Sequence, residues 1–269
     1  MTPNGNNSSK QRQNKTMLES YIRERLEHKQ ILLMTHIVIG YPSFDDSFEI
    51  VRTMVEAGVD LMELQIPFSE PMADGPVILR ANQKALESGS TVQRCFEFAE
   101  NMAQTFSIPF LFMTYANIPY KYGMDKFADH MAKIKLQGAI VPDLPPEEGG
   151  SYLRAMAGNR LAAIPIFSPE TSDPRMAYLS SFASGFVYCL ARKGVTGQNT
   201  HFSQDLGPYL ARCQQATRLP LAVGFGVKEK ADLAFLKGHA QIAVIGSQTI
   251  RVVEEKGIGA IKPFIQSLF

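Results

Sequence analysis

The sequence predicts an α/β fold of the (β/α)8 class, a TIM barrel preceded by one extra helix. Three observations point there. Eight short apolar runs recur along the chain, at 31–39, 60–66, 109–115, 138–143, 162–167, 185–190, 220–225 and 242–246. Most are continuous rather than alternating, as strands of a parallel sheet covered on both faces should be. Amphipathic stretches separate them, and 269 residues suit one barrel domain. A doubly wound open sheet is the alternative. Eight units with no break in composition favour closure.

The elements follow in order. The first sixteen residues, MTPNGNNSSKQRQNKT, carry no acid and almost no large apolar side chain. They lack the apolar core of a signal peptide and read as a disordered polar tail, with Met17 a candidate start and 17–269 the barrel domain. LESYIRERLEHK is a charged amphipathic stretch and supplies the extra helix. After the first run, Ser43 can cap a helix whose apolar stripe is Phe44, Phe48, Val51 and Val55, and Gly58 can end it. KEKADLAFLKG and SQTIRVVEEKG have the same form.

Composition narrows the function. Hydrophobic residues are 45% and charged residues 20%, an ordinary balance for a chain with a full core. A formal net charge of +1 argues against nucleic acid or a membrane surface as the main partner. No apolar run reaches the ~18 residues that a membrane span needs. Cys95, Cys189 and Cys213 are far apart and form no CxxC, which suits reduced thiols in the cytoplasm. The five histidines show no paired ligand spacing, so no metal site is expected.

In a barrel, the C-terminal ends of the strands and the loops after them form the active face. Three glycine sets fall there. The sixth run leads into Gly194-Val195-Thr196-Gly197, the seventh holds Gly224-Phe225-Gly226, and the eighth ends in Gly246-Ser247 and opens into a helix. Glycine admits close backbone approach, and a helix N-terminus offers free N–H groups. Three such sets on adjacent strands point to a bound phosphate, beyond simple turn chemistry.

The second run carries a carboxylate. Leu61, Glu63 and Gln65 share one face, and Met62, Leu64 and Ile66 the other. If the second set packs against helices, Glu63 points into the barrel near its top. Burial there disfavours a lone charge and suits a group that both gives and takes a proton. A structural carboxylate paired with a buried Arg or Lys is the alternative, but none of the eight runs holds either. Asp74, eleven residues on, sits in an Asp-Gly pair that alone would be an ordinary turn.

The stretches ELQIPFSEPMADGP, YAN (115–117), VPDLP (141–145), YCLARKGVTG (188–197), GFG (224–226) and IGS (245–247) closely resemble the tryptophan synthase alpha chain family, in the same order. The resemblance runs from about residue 31 to the C-terminus. It implies a lyase that cleaves indole-3-glycerol phosphate into indole and glyceraldehyde 3-phosphate. It further implies Glu63 as the acid/base, Asp74 as its partner, and Gly197, Gly226, Gly246 and Ser247 around the phosphate. Tyr115, Tyr188 and Phe225 would line the site, and Thr196, on the loop 191–204, would meet Asp74 on closure. No cofactor is implied in this chain. Pyridoxal phosphate belongs to a separate β subunit, expected to dock on the loops of Glu70, Asn117 and Asp143 in an α2β2 heterotetramer.

Four positions depart from the family's common pattern. Gln65 stands where glycine is usual, Glu70 for aspartate, His36 for phenylalanine, and Pro142 for a small residue. Gln65 is expected to share a face with Glu63, within reach of a hydrogen bond to it. His36 is expected to make the indole end more polar. Two other readings exist: a Schiff-base aldolase through Lys193, and a non-catalytic binding subunit. The first needs a desolvated lysine, and the second has no need of a buried acid/base.

Overall fold

A computed structural model describes residues 16–191, 205–224 and 226–269. The strands are β1 (Leu32–Val38), β2 (Leu61–Gln65), β3 (Phe110–Met113), β4 (Gly138–Ile140), β5 (Ala162–Ile164), β6 (Ile166–Phe167), β7 (Val187–Leu190), β8 (Leu221–Gly224) and β9 (Ile242–Ile245). They form one parallel sheet in the order β5-β4-β3-β2-β1-β9-β8-β7-β6. The run 162–167, expected as one strand, is cut in two at Pro165, which has no N–H to give to a ladder. Its first half pairs with β4 and its second half with β7. The Pro165 carbonyl accepts from Tyr188 N at 3.0 Å, so the two ends of the sheet meet in one segment and the barrel closes.

Helices cover the outside. The stripe after β1 is α2 (Phe44–Glu56); Ser43 caps it by accepting from Asp46 N, and Gly58 follows it at φ +95°. Two helices stand between β2 and β3, where one was expected: α3 (Pro76–Glu87) and α4 (Val92–Thr105). Later come α5 (Asn117–Tyr122), α6 (Met124–Lys133), α7 (Gly150–Gly158), α8 (Asp173–Ser180), α9 (Leu206–Ala216), α10 (Lys230–Leu236), α11 (Ser247–Lys256) and α12 (Ile261–Gln266). Along β2, Met62 and Leu64 join the layer between sheet and helices, as does Ile66 just past its end. Leu61 joins the cluster inside the barrel with Met34, Leu111 and Val244. No helix among the described residues is long and apolar enough to cross a membrane.

The extra helix, α1 (Met17–Leu26), plugs the barrel's lower end. Thr16 is buried and caps it, accepting from Glu19 N at 3.3 Å, so the folded part begins at least one residue before Met17. Leu18 and Ile22 are fully buried in the interior cluster. Gly185, at φ +82°, makes room: a Cβ there would lie 2.8 Å from Ala162 Cβ and 3.1 Å from Leu18 Cδ2. Asp60, just before β2, ties the plug down. Its Oδ1 accepts from Arg25 Nη2 (2.9 Å) and Lys29 Nζ (2.7 Å), and its Oδ2 accepts from the buried Leu33 N (3.0 Å).

In Asp60→Ala, the partly exposed Arg25 and Lys29 return to water, but the Leu33 N–H is left buried without an acceptor. Such an orphan costs about 1–3 kcal/mol. The thermal midpoint should fall by roughly 2–4 °C per kcal/mol, measured by thermal denaturation. An unchanged midpoint would mean that this cluster does not anchor the plug.

Candidate active site

Register builds the site. In the β1–β2 ladder, His36 pairs with Glu63 and Val38 with Gln65. Paired residues on parallel neighbours face the same side, so the inward turn of Glu63 brings His36 in beside it. His36 Nδ1 and Glu63 Oε1 are 3.1 Å apart, and both side chains are about 95% buried. The sequence search for a cation beside Glu63 considered only Arg and Lys. The partner present is a histidine on the adjacent strand, at the position read as a polar wall.

Gln65 shares the inward face with Glu63, but its side-chain hydrogen bond goes to Asp74. It is one step further along β2 and donates from Nε2 to Asp74 Oδ2 at 2.7 Å. Tyr115 OH donates to the same oxygen at 3.0 Å and accepts from Ala73 N at 3.1 Å. Tyr115 is fully buried and stacks on Phe68 with ring centroids 5.1 Å apart. It stands behind Asp74 and is not on the cavity wall, where the resemblance had set it.

A cavity of about 360 Å³ opens at the upper strand ends. His36, Glu63, Asp74 and Tyr188 line one side, with Met113, Ile140, Pro142, Ile166, Leu190 and Val244 as apolar walls. The other end is Gly226, Val227, Lys228, Gly246, Ser247 and Gln248. Gly246 is the N-cap of α11 and gives it no side-chain cap, so first-turn N–H groups face outward without one. Gly226 adopts φ +114°, which side-chain-bearing residues rarely take. Gly224 has a different reason: a Cβ there would lie 2.2 Å from the Tyr188 hydroxyl. Lys228 was passed over in the sequence as part of the next helix. It precedes α10 and borders the glycine end. Thr196, Gly197, Phe225, Lys193 and most of the loop 191–204 lie outside the described residues.

The buried groups shape each other's protonation. Burial works against a charged His36, but the hydrogen bond and charge of Glu63, then the charge of Asp74, lift its pKa above the ordinary value. Burial raises Asp74, against the pull of His36, Gln65 and Tyr115. Tyr188 is pushed far up by burial and by the charges of Glu63 and Asp74, so it is a neutral wall.

A sequence model of the tryptophan synthase alpha chain matches residues 22–266. The chain belongs to the tryptophan synthase alpha chain family. It is 66% identical over 252 residues to the alpha chain of Desulforapulum autotrophicum, covering 94% of this chain and 100% of that one. It is 62% identical over 252 residues to that of Syntrophotalea carbinolica, with the same coverage. Among solved structures, Mycobacterium tuberculosis tryptophan synthase superposes with a TM-score of 0.88 at 29% identity, covering 94% of this chain and 97% of that one. The family is a barrel lyase that cleaves indole-3-glycerol phosphate and pairs with a β subunit.

Lys228→Ala should raise KM for the phosphate-bearing substrate about tenfold, the scale of one hydrogen bond to a charged group, with kcat little changed. Steady-state kinetics of indole release checks this. An unchanged KM would remove Lys228 from the phosphate end.

Proposed function

We propose that the lyase reaction runs in this cavity, with Glu63 as acid/base, Asp74 at the indole N–H, and the Gly226, Gly246 and Ser247 end holding the phosphate. Gly197, Thr196 and Phe225 join them by family resemblance. The observation that carries the reading is convergence. A buried carboxylate on a strand and a half-buried one on the loop after it face a glycine edge and an uncapped helix start across one cavity.

The chemistry needs this division. The bond to break joins indole C3 to the glyceryl chain, and indole is a poor carbanion leaving group. Protonation at C3 makes a cationic indolenine. Removal of the glyceryl hydroxyl proton then breaks the C–C bond, releasing indole and the aldehyde. Glu63 supplies and recovers the proton. The Asp74 carboxylate, fixed by Gln65 and Tyr115, stabilises the cation through the ring N–H.

The chain would work in the cytoplasm with a β subunit that carries pyridoxal phosphate, in an α2β2 assembly. Its three cysteines are free thiols, all buried, which suits a reducing compartment. The docking face would be the strand-end loops of Glu70, Asn117 and Asp143. Met72 and Tyr120, on the loop after β2 and on α5, expose about three-quarters of their surface there, an apolar area that a partner would cover.

Glu63→Gln should lower indole release by about 10²–10⁴-fold, the usual range for such groups. Asp74→Asn should lower it by about 10²-fold or more, as loss of a preorganised electrostatic partner does. Neither should shift the thermal midpoint in proportion. Near-normal turnover in Glu63→Gln would make Glu63 a structural carboxylate. Tyr120→Asp should weaken β-subunit binding about tenfold or more while leaving the midpoint unchanged, read by titrating the β subunit against lyase activity. Unaltered activation would move the docking face elsewhere.

A further inference from the structure

His36 and Gln65 stand on adjacent strands beside the two carboxylates; His36 Nε2 and Gln65 Oε1 make no hydrogen bond of normal geometry, but the Gln65 side chain still favours the ring's protonated form. His36 also lines the cavity. A ring placed there only to fill space needs no nitrogen facing Glu63. We propose that His36 is a positioning residue that acts through Glu63: the two share a single proton between Nδ1 and Oε1, and this proton is the one Glu63 delivers to the substrate. The inference rests on the lyase reading of Glu63.

The proton count supports it. A lone buried carboxyl either holds its proton or becomes an uncompensated charge. Beside an imidazole, the same proton can move to the ring, and the pair stays neutral overall as carboxylate and imidazolium. At the start of turnover the proton returns to Oε1 and passes to indole C3. Glu63 is then a carboxylate next to a neutral ring. It takes the glyceryl hydroxyl proton as the C–C bond breaks, which restores the pair. Every proton is accounted for, and His36 never needs to touch the substrate.

The groups around His36 are Glu63 and Gln65 on β2, Asp74 on the following loop, Tyr188 on β7 and, at the far end of the cavity, Lys228. From α11, Thr249 reaches the His36 carbonyl at 3.4 Å, and β9 contributes the apolar Val244. The two carboxylates dominate and raise the ring's affinity for its proton. The ring therefore keeps its proton to higher pH than an ordinary imidazole would.

The test compares wild type, His36→Phe and His36→Asn. Asparagine keeps a donor for Glu63 but cannot exchange a proton. In both variants the basic limb of kcat/KM for indole release should move to lower pH by about one unit or more, which reads as about tenfold lower kcat/KM above both limbs. Independently of turnover, the His36 imidazole resonance should titrate at lower pH in Glu63→Gln than in wild type. A wild-type limb in His36→Asn would overturn the proposal and leave His36 a simple donor. An unmoved His36 titration in Glu63→Gln would overturn it too, even if the His36 variants failed to fold. If Glu63→Gln itself kept turnover, the lyase reading of Glu63 would fall; if it were inactive while His36→Phe and His36→Asn kept the limb, only the role of His36 would fall.

Discussion

The contact between His36 and Glu63 constrains the upper half of this barrel. A closed parallel sheet excludes water, and a carboxyl inside it must find its partners in the protein. The partner has to come from a neighbouring strand at matching register, because side chains on a strand can reach only a step or so along it. The β1–β2 pairing supplies that match. Once Glu63 is engaged by His36, Asp74 needs other donors. They come from Gln65, one inward position further up β2, and from Tyr115, just past the end of β3. The two carboxylates are thus held from separate strands, and each can do separate work.

The two ends of the barrel solve opposite problems. At the lower end, α1 fills the opening with Leu18 and Ile22, and Asp60 spends its oxygens on Arg25, Lys29 and a backbone N–H. At the upper end, backbone is uncovered on purpose: Gly246 caps α11 without a side chain, and Gly226 bends where a Cβ would be strained. Donors that would be a defect in a core are, at a cavity edge, open to an anion.

Much of this was legible in the sequence. The eight runs and the inward face of Glu63 follow from periodicity, which is set by backbone geometry. What was missed depends on contacts between elements. Pro165 splits a run that hydropathy reads as continuous. The direction of Gln65 could not be read from its face alone, because Asp74 folds back over it from a loop whose path periodicity does not encode. Tyr115 looked like a wall residue and proved to be a support, a distinction that only depth reveals. No Lys or Arg stands in the strands beside Glu63; its partner is a histidine, whose hold on a proton rises beside a carboxylate.

The departures His36 and Gln65 are best understood as one change. The phenylalanine and glycine that the family resemblance sets at these positions have no side-chain group to offer a carboxylate. An imidazole and an amide give each carboxylate a hydrogen-bonding partner. His36 without Gln65 would face an Asp74 whose charge is less restrained, and that charge also acts on the ring. Gln65 without His36 would hold Asp74 but leave Glu63 without its side-chain partner. Each carboxylate is thus held by its own partners, Glu63 by His36 and Asp74 by Gln65 and Tyr115, so a change beside one need not release the other.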